Sequence, residues 1–155
     1  MIRKFEQNDL PIIMSIWLNA NKDAHSFIDE SYWQNHYAKV SRQIPQAEVL
    51  VYEEDSTING FIGVYDHYIA GIFIERSKRA QGAGTMLLDA VKARKSPLSL
   101  RVYEKNISAV RFYQKSGFRI VEKSVDEDCG EIEYLMAWEG QSEMSGKTPP
   151  GIVPD

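Results

Sequence analysis

The sequence predicts an α+β fold in which a mixed, mostly antiparallel sheet is flanked by about four helices. Short runs rich in β-branched and aromatic residues indicate the strands, and several of them are separated only by turn residues. Between other strands the apolar residues recur at helical spacing. With 155 residues, the chain is long enough for one core and short for two domains.

The first part of the chain predicts a short strand and two helices. The opening IRKF indicates the strand, and Asn8 or Asp9 can cap a first helix near residues 9–20. A second helix follows, with Asp29 available as its cap and apolar residues continuing to Ile44. The apolar positions that define the first helix are Ile12, Ile13, Ile16 and Trp17.

The middle of the chain predicts three consecutive antiparallel strands. They lie in EVLVYEE and FIGVYDHYIAGIFIE, and the second run is broken near Asp66 and His67. The segment DSTING supplies the Asp, Asn and Gly that suit a hairpin turn. A third helix is then predicted from Gly84 to about Lys95. Its apolar face is predicted to hold Met86, Leu87, Ala90 and Val91.

The last part predicts one strand, a short helix and a final strand pair. SPLSLRVY forms the strand, SAVRFYQKS the helix, and Gly117 ends that helix. FRIVEKSV and EIEYLMAWE form the pair, joined by DEDCG. From Gly140 onward the chain is rich in Pro and Gly and poor in apolar residues. We therefore expect one domain over residues 1–139 and a disordered tail over 140–155.

Composition and charge exclude several classes of protein. The net charge of -4 argues against a nucleic-acid binder, which would need an excess of Lys and Arg. Cys129 has no partner for an internal disulfide, and the three His residues give no metal-ligand spacing, so we expect no metal. No apolar run approaches the roughly 20 residues that span a bilayer. We expect a cytoplasmic protein with no membrane association.

A glycine-bearing turn between a strand and a helix is the first candidate site. In RAQGAGT, Arg79 adds positive charge, Gly82 and Gly84 remove side chains, and Thr85 offers a hydroxyl in the first helical turn. Unpaired N–H groups at a helix N-terminus suit phosphate oxygens. The alternative is that the two glycines only make a tight strand-to-helix connection.

Two nucleotide-binding motifs do not fit this turn. The dinucleotide motif G-x-G-x-x-G would need a third glycine where the chain has Leu87. The P-loop would need a lysine directly after Gly84, where the chain has Thr85. The sequence therefore favours neither NAD nor ATP.

Two segments resemble motifs of one enzyme family. Arg79-x-x-Gly82-x-Gly84, after a strand that ends at Ile74, resembles the pyrophosphate loop [QR]-x-x-G-x-[GA] of the GNAT N-acetyltransferase superfamily. NISAVRFYQKSGF, which begins at Asn106, resembles the family's N-x-x-A-x-x-x-Y-x-K-x-G-F segment. The resemblance covers residues 1–139. Residues 16–33 also resemble the first loop and second helix of a subgroup of small bacterial members.

The resemblance implies a three-layer fold that binds acetyl-CoA as the acetyl donor. Acetyl-CoA would lie in a V-shaped splay between parallel strands four and five, near residues 68–74 and 99–103. The resemblance implies that Asn106 hydrogen-bonds the pantetheine arm. It also implies two further groups of donor-binding residues, which are Ile72, Phe73 and Ile74 for the pantetheine arm, and Arg79, Ala80, Gln81, Gly82, Ala83, Gly84 and Thr85 for the pyrophosphate.

Tyr113 matches the tyrosine that many relatives use as a general acid toward the departing CoA thiolate. The alternative is a tyrosine that only packs between helix and sheet. Many relatives carry a glutamate base five positions before the asparagine, but this chain has Arg101 there. Other candidates for the base are Glu104, His67 and His25.

The acceptor side is expected where the first two helices meet the neighbouring strands. The candidate acceptor-binding residues there are His25, Phe27, Tyr32, His67 and Tyr68. The resemblance implies an enzyme that transfers acetyl to a primary amine by direct attack in a ternary complex. The acceptor would be a small molecule or a protein lysine, and the protein a monomer or homodimer. The alternative is a non-catalytic acyl-CoA-binding sensor or partner module.

Overall fold

The computed structural model describes residues 1–140, so the predicted tail lies outside them from residue 141 onward. Within that range seven strands form one sheet in the order β1-β2-β3-β4-β5-β7-β6, and β4 and β5 are its parallel pair. The strands are β1 Ile2–Lys4, β2 Glu48–Glu54, β3 Thr57–Tyr65, β4 Tyr68–Ile74, β5 Leu98–Tyr103, β6 Arg119–Asp126 and β7 Glu131–Trp138.

In the described part of the chain, four α-helices cover the two faces of this sheet. They are α1 Leu10–Ala24, α2 Glu30–Gln43, α3 Ala83–Lys92 and α4 Ile107–Lys115. One core cluster joins α1 and α2 to β2 and β3 around Trp17, Trp33 and Phe61. The other joins α3 and α4 to the sheet around Leu87 and Tyr113. The predicted fold class is confirmed.

Several local predictions need correction. Helix α1 continues to Ala24, beyond the predicted end near residue 20. Ile12 is 50% exposed and Met86 is 45% exposed, because each lies outside the stripe of its helix that faces the sheet. Met14 and Leu88 are buried in those two helices instead.

The β2–β3 turn is shorter than predicted. Asp55 and Ser56 form it with φ angles of 49° and 63°, and the remaining residues of DSTING already belong to β3. Two consecutive positive φ angles match the right-handed twist of a two-residue hairpin. Asp9 also differs from its prediction, since its carboxylate binds Arg3 and the Glu6 N–H, and its side chain does not cap α1.

Strands β4 and β5 separate after a short paired segment. Only Tyr68–Ser99 and Ile69–Leu100 are in register between them. The β3–β4 register then steps from Val64–Ile69 to Gly63–Gly71, which leaves Ala70 as an extra residue in β4. A bulge of this kind bends its strand and interrupts the pairing. The opening between β4 and β5 is the predicted V-shaped splay.

No helix within residues 1–140 has both the length and the apolar composition needed to cross a membrane.

Candidate active site

A cavity of about 790 Å³ opens at the splay. Its walls come from the end of β4, the loop before α3, the start of α4 and the last turn of α1. The predicted donor-binding residues on its lining are Ile72, Phe73, Ile74, Arg79, Ala80, Gly82, Gly84, Thr85 and Asn106. The cavity thus collects residues from distant parts of the sequence.

Two of the predicted loop residues do not line the cavity. Gln81 extends away, and its Nε2 lies 3.4 Å from the Ser77 carbonyl oxygen. Ala83 is buried beneath the first turn of α3. The resemblance implies that backbone groups of this turn bind the pyrophosphate, and both residues belong to the turn through their backbones.

The backbone angle and the space available for a side chain differ between the two glycines of the turn. Gly82 is the N-cap of α3 with φ +91°, and no atom lies within 4 Å of a Cβ added there. Glycine is therefore required at this position by the backbone angle and not by the surrounding atoms. A Cβ at Gly84 would meet the Phe112 ring at 3.5 Å, an ordinary contact. Within residues 1–140 no side chain caps α3, so its N-terminal N–H groups are open to an anion.

Arg79 supplies a cationic group beside this helix end. Its Nε donates to the Ile74 carbonyl oxygen at 3.0 Å, and its Nη1 lies 3.2 Å from the Asp23 carboxylate. The remaining nitrogen, Nη2, is buried without a hydrogen-bond partner among the described residues. A buried unpaired guanidinium nitrogen indicates a missing acceptor.

The cavity walls fit the chemistry of acetyl-CoA. Beyond Ile69, β4 has no pairing with β5, so this edge can accept an amide-rich arm as an added strand. The uncapped start of α3 and Arg79 fit a diphosphate.

Asp23 is a site residue that the sequence analysis missed. It binds the exposed Arg76 through both carboxylate oxygens, at 2.9 and 2.6 Å, and also pairs with Arg79. The two arginines hold its pKa below the usual range, with the Arg76 hydrogen bond the larger cause. Asp23 therefore links the last turn of α1 to the loop before α3, which contains Arg76 and Arg79.

Asn106 caps α4 at the floor of the cavity. Its Oδ1 accepts a hydrogen bond from the Ala109 N–H at 3.3 Å. Its Nδ2 lies 3.2 Å from Nε2 of His25, at the end of α1. The carboxamide is thus fixed at both ends.

Tyr113 lies where the core meets the cavity. It lines the cavity and is also a core residue, 7% exposed. Burial raises the pKa of its phenol, and the nearby Tyr68 raises this pKa further. Tyr113 is therefore protonated at neutral pH, and the raised pKa makes its phenol a weaker acid than that of an exposed tyrosine.

His25 lines the cavity, but it is poorly suited to be a base. Burial lowers its pKa to about 4, and the backbone of Asn21 opposes this effect only in part. Phe27 packs edge-on against its ring, with centroids 5.7 Å apart. On α2, Tyr32 contacts the neighbouring Trp33, whose ring stacks on His25.

The other two candidate bases lie away from the cavity. His67 precedes β4, whereas the cavity forms at the end of this strand, roughly 20 Å away for seven extended residues. The imidazole is at the surface, where Nδ1 is 2.8 Å from the Pro97 carbonyl oxygen. Glu104 accepts a hydrogen bond from the Tyr134 hydroxyl at 2.7 Å and pairs with Lys123. We therefore set both aside as bases.

Glu133 is a second residue that the sequence analysis missed. It is the direct partner of Tyr103 in the β5–β7 register, so the two side chains share a face. The Tyr103 ring contacts His25 and Phe27, which places that face toward the segment between α1 and α2. Arg101 lies 3.7 Å from the Glu133 carboxylate, and so the arginine found in place of the expected glutamate has an acidic partner.

A splayed sheet beside an open helix end defines the class of acyl-CoA-binding transferases that the resemblance implied. A sequence model of the Acetyltransferase (GNAT) domain matches residues 19–132. The chain belongs to the GNAT family of acetyltransferases, which use acetyl-CoA as the acetyl donor. The prediction of an acetyl-CoA-dependent N-acetyltransferase is confirmed.

Individual relatives agree with this assignment. The chain is 31% identical to the peptidyl-lysine N-acetyltransferase YiaC of Escherichia coli K12, over 89% of this chain and 96% of YiaC. The solution structure of apo YjaB from Escherichia coli matches with a TM-score of 0.80 and 25% identity, over 91% of this chain and 98% of YjaB. The predicted likeness to small bacterial members is thereby confirmed.

A more distant structure shares the fold. An aminoglycoside 6'-N-acetyltransferase complexed with coenzyme A matches with a TM-score of 0.69 and 14% identity, over 90% of this chain and 96% of that one.

Proposed function

We propose that the protein transfers the acetyl group of acetyl-CoA to the side-chain amine of lysine in proteins or peptides. The observation that carries this acceptor is the match to YiaC, a peptidyl-lysine N-acetyltransferase, over nearly the full length of both chains. The cavity at the splay supports the donor half of the reaction.

The donor half uses main-chain groups and one cation. The free edge of β4 at Ile72–Ile74 binds the arm of the donor, and the start of α3 binds its diphosphate with Arg79. Bound acetyl-CoA supplies the thioester that the acceptor amine attacks. As the carbon–sulfur bond breaks, Tyr113 donates its phenolic proton to the sulfur, and the phenolate regains a proton from water before the next turnover. The position of Tyr113 on the cavity wall supports this role.

The acceptor amine must lose a proton before it attacks, and we assign this task to Glu133, which does not line the cavity but lies on the sheet face next to the segment between α1 and α2. Its side chain is only 18% exposed, and burial raises its pKa, with the charge of Asp126 as a second cause. A raised pKa makes a carboxylate a better proton acceptor. Its face of the sheet, shared with Tyr103, is the one that meets the segment between α1 and α2.

We expect Glu133→Gln to lower kcat/KM for the acceptor by about 100-fold, because general bases contribute on that order. In the wild type, kcat/KM should fall as the pH drops through the raised pKa of Glu133, since only the ionised carboxylate accepts a proton. The variant should lack this acid limb. Steady-state kinetics between pH 5 and 9 measure both effects.

Glu122→Gln is the matched control, because Glu122 is exposed on the edge strand β6. It should retain wild-type kinetics. A Glu133→Gln enzyme with an unchanged acid limb would assign the base elsewhere.

Acceptor choice is tested with peptides that differ in one amine. One set carries a single internal lysine behind a blocked N-terminus, and the other has a free N-terminus and no lysine. With acetyl-CoA, thiol release should be at least about tenfold faster with the lysine set, because the proposed acceptor is the side-chain amine of lysine. Preference for the free N-terminus would overturn the lysine assignment. Binding of acetyl-CoA without turnover on either set or on protein would favour a sensor.

A further inference from the structure

His25 lies between the segment that joins α1 to α2 and the cavity at the splay, and its ring is closely packed. Its ring stacks on Trp33 with centroids 5.2 Å apart and an interplanar angle of 27°. Tyr103 and Phe27 contact it edge-on at 5.1 and 5.7 Å. With aromatic rings on three sides, the imidazole has little freedom to rotate.

The contact between His25 and Asn106 determines which ring nitrogen of His25 carries the proton. Oδ1 of Asn106 accepts from the Ala109 N–H, so the amide nitrogen Nδ2 faces His25. Nδ2 is only a donor, and therefore Nε2 of His25 must be an unprotonated acceptor. The imidazole proton is then on Nδ1, which is a buried atom.

The hydrogen bond to Asn106 is compatible with one neutral tautomer of His25. A protonation state with Nε2–H would place two donors against each other. The low pKa of His25, about 4, keeps the ring neutral and Nε2 free to accept. In this state Nε2 can accept the hydrogen bond from Nδ2 of Asn106.

We propose that His25 is a positioning residue for donor binding, which holds the Asn106 carboxamide so that its second N–H points into the cavity. The amide nitrogen has two hydrogens, and the bond to Nε2 uses one of them. The other remains available to a carbonyl oxygen of the donor's amide arm. This inference rests on the proposed donor site and adds a residue that reaches it from the acceptor side.

Two substitutions separate positioning from packing. His25→Phe keeps an aromatic ring among the three neighbours but removes the acceptor for Nδ2. His25→Gln loses the ring but offers an amide oxygen that can accept the same hydrogen bond. A packing role predicts that Phe is tolerated better, whereas a positioning role predicts that Gln is.

The measurement is the Kd for acetyl-CoA by calorimetry. We expect His25→Phe to raise Kd about fivefold, the value of one ordinary hydrogen bond, and His25→Gln to stay within about twofold of the wild type. Thermal unfolding without ligand reports the packing effect separately. If His25→Phe does not fold, His25→Leu provides the same comparison.

A double-mutant cycle with Asn106→Ala completes the test. After Asn106 has been removed, His25→Phe should cause no further loss of affinity, because its effect acts through that side chain. Equal losses for Phe and Gln, an unchanged Kd in Phe, or additive losses in the cycle would each overturn the proposal. These outcomes concern binding, so they remain decisive even if turnover with lysine peptides fails.

Discussion

Tyr113→Phe is expected to lower kcat by about two orders of magnitude, the lower range for loss of a general acid. Phe retains the ring that packs in the core cluster of α3, α4 and the sheet, so the fold and the Kd for acetyl-CoA should stay near wild-type values. Pre-steady-state thiol release and calorimetry measure the two quantities independently.

The pH profile sharpens this expectation. Because the pKa of Tyr113 is raised above its ordinary value near 10, the phenol stays protonated throughout the neutral range. Wild-type kcat should therefore show no alkaline loss from this group below about pH 10. Tyr65→Phe is the matched control, since its hydroxyl donates to the Gln43 carbonyl oxygen at the surface. A Tyr113→Phe enzyme with wild-type kcat would leave the tyrosine with a packing role alone.

Alanine at the two glycines of the donor loop should change the stability of the free protein in opposite directions. At Gly82, with φ +91°, an alanine costs about 1–2 kcal/mol of the free energy of unfolding. At Gly84, inside α3, an alanine has room and adds about 0.5–1 kcal/mol by helix propensity. Urea unfolding of both variants without ligand measures the difference.

Both alanine variants should also lose part of the stabilisation that acetyl-CoA gives. A ligand stabilises the folded state by RT ln(1 + [L]/Kd), so a tenfold weaker Kd removes about 1.4 kcal/mol at saturating ligand. Gly82→Ala disturbs the helix N-terminus, and Gly84→Ala adds a methyl group on the cavity lining. An unchanged ligand-induced shift in both variants would contradict a phosphate role for this loop, whereas equal stability of the two free proteins would contradict the conformational argument.

The sequence predicted the order of the elements because local patterns determine them. β-branched runs marked the strands, Asp29 marked the start of α2, and Gly117, with φ +96°, marked the end of α4. Helix faces were less accurate, since Ile12 and Met86 are apolar but lie outside the buried stripes. Apolar character alone does not fix how a helix is rotated against its sheet.

The candidate site was predictable where a continuous motif describes it. The donor loop and the Asn106–Tyr113 segment each lie within a few residues of chain, and their lining residues meet at one cavity. Asp23 was missed because its partner Arg76 is 53 residues away. Glu133 was missed because its relation to Tyr103 depends on strand register. Pairings of this kind arise from tertiary structure and leave no local signal.

The brevity of the β4–β5 contact has a consequence for the mechanics of the molecule. With two residue pairs in register, the sheet is nearly two separate sheets, one of β1–β4 and one of β5–β7, that meet along a short seam. A donor lying along the free edge of β4 would form hydrogen bonds with β4 where this strand does not pair with β5. Bound acetyl-CoA would then hold the two parts of the sheet together as well as react. The rigidity of the enzyme would therefore depend on the concentration of its own substrate.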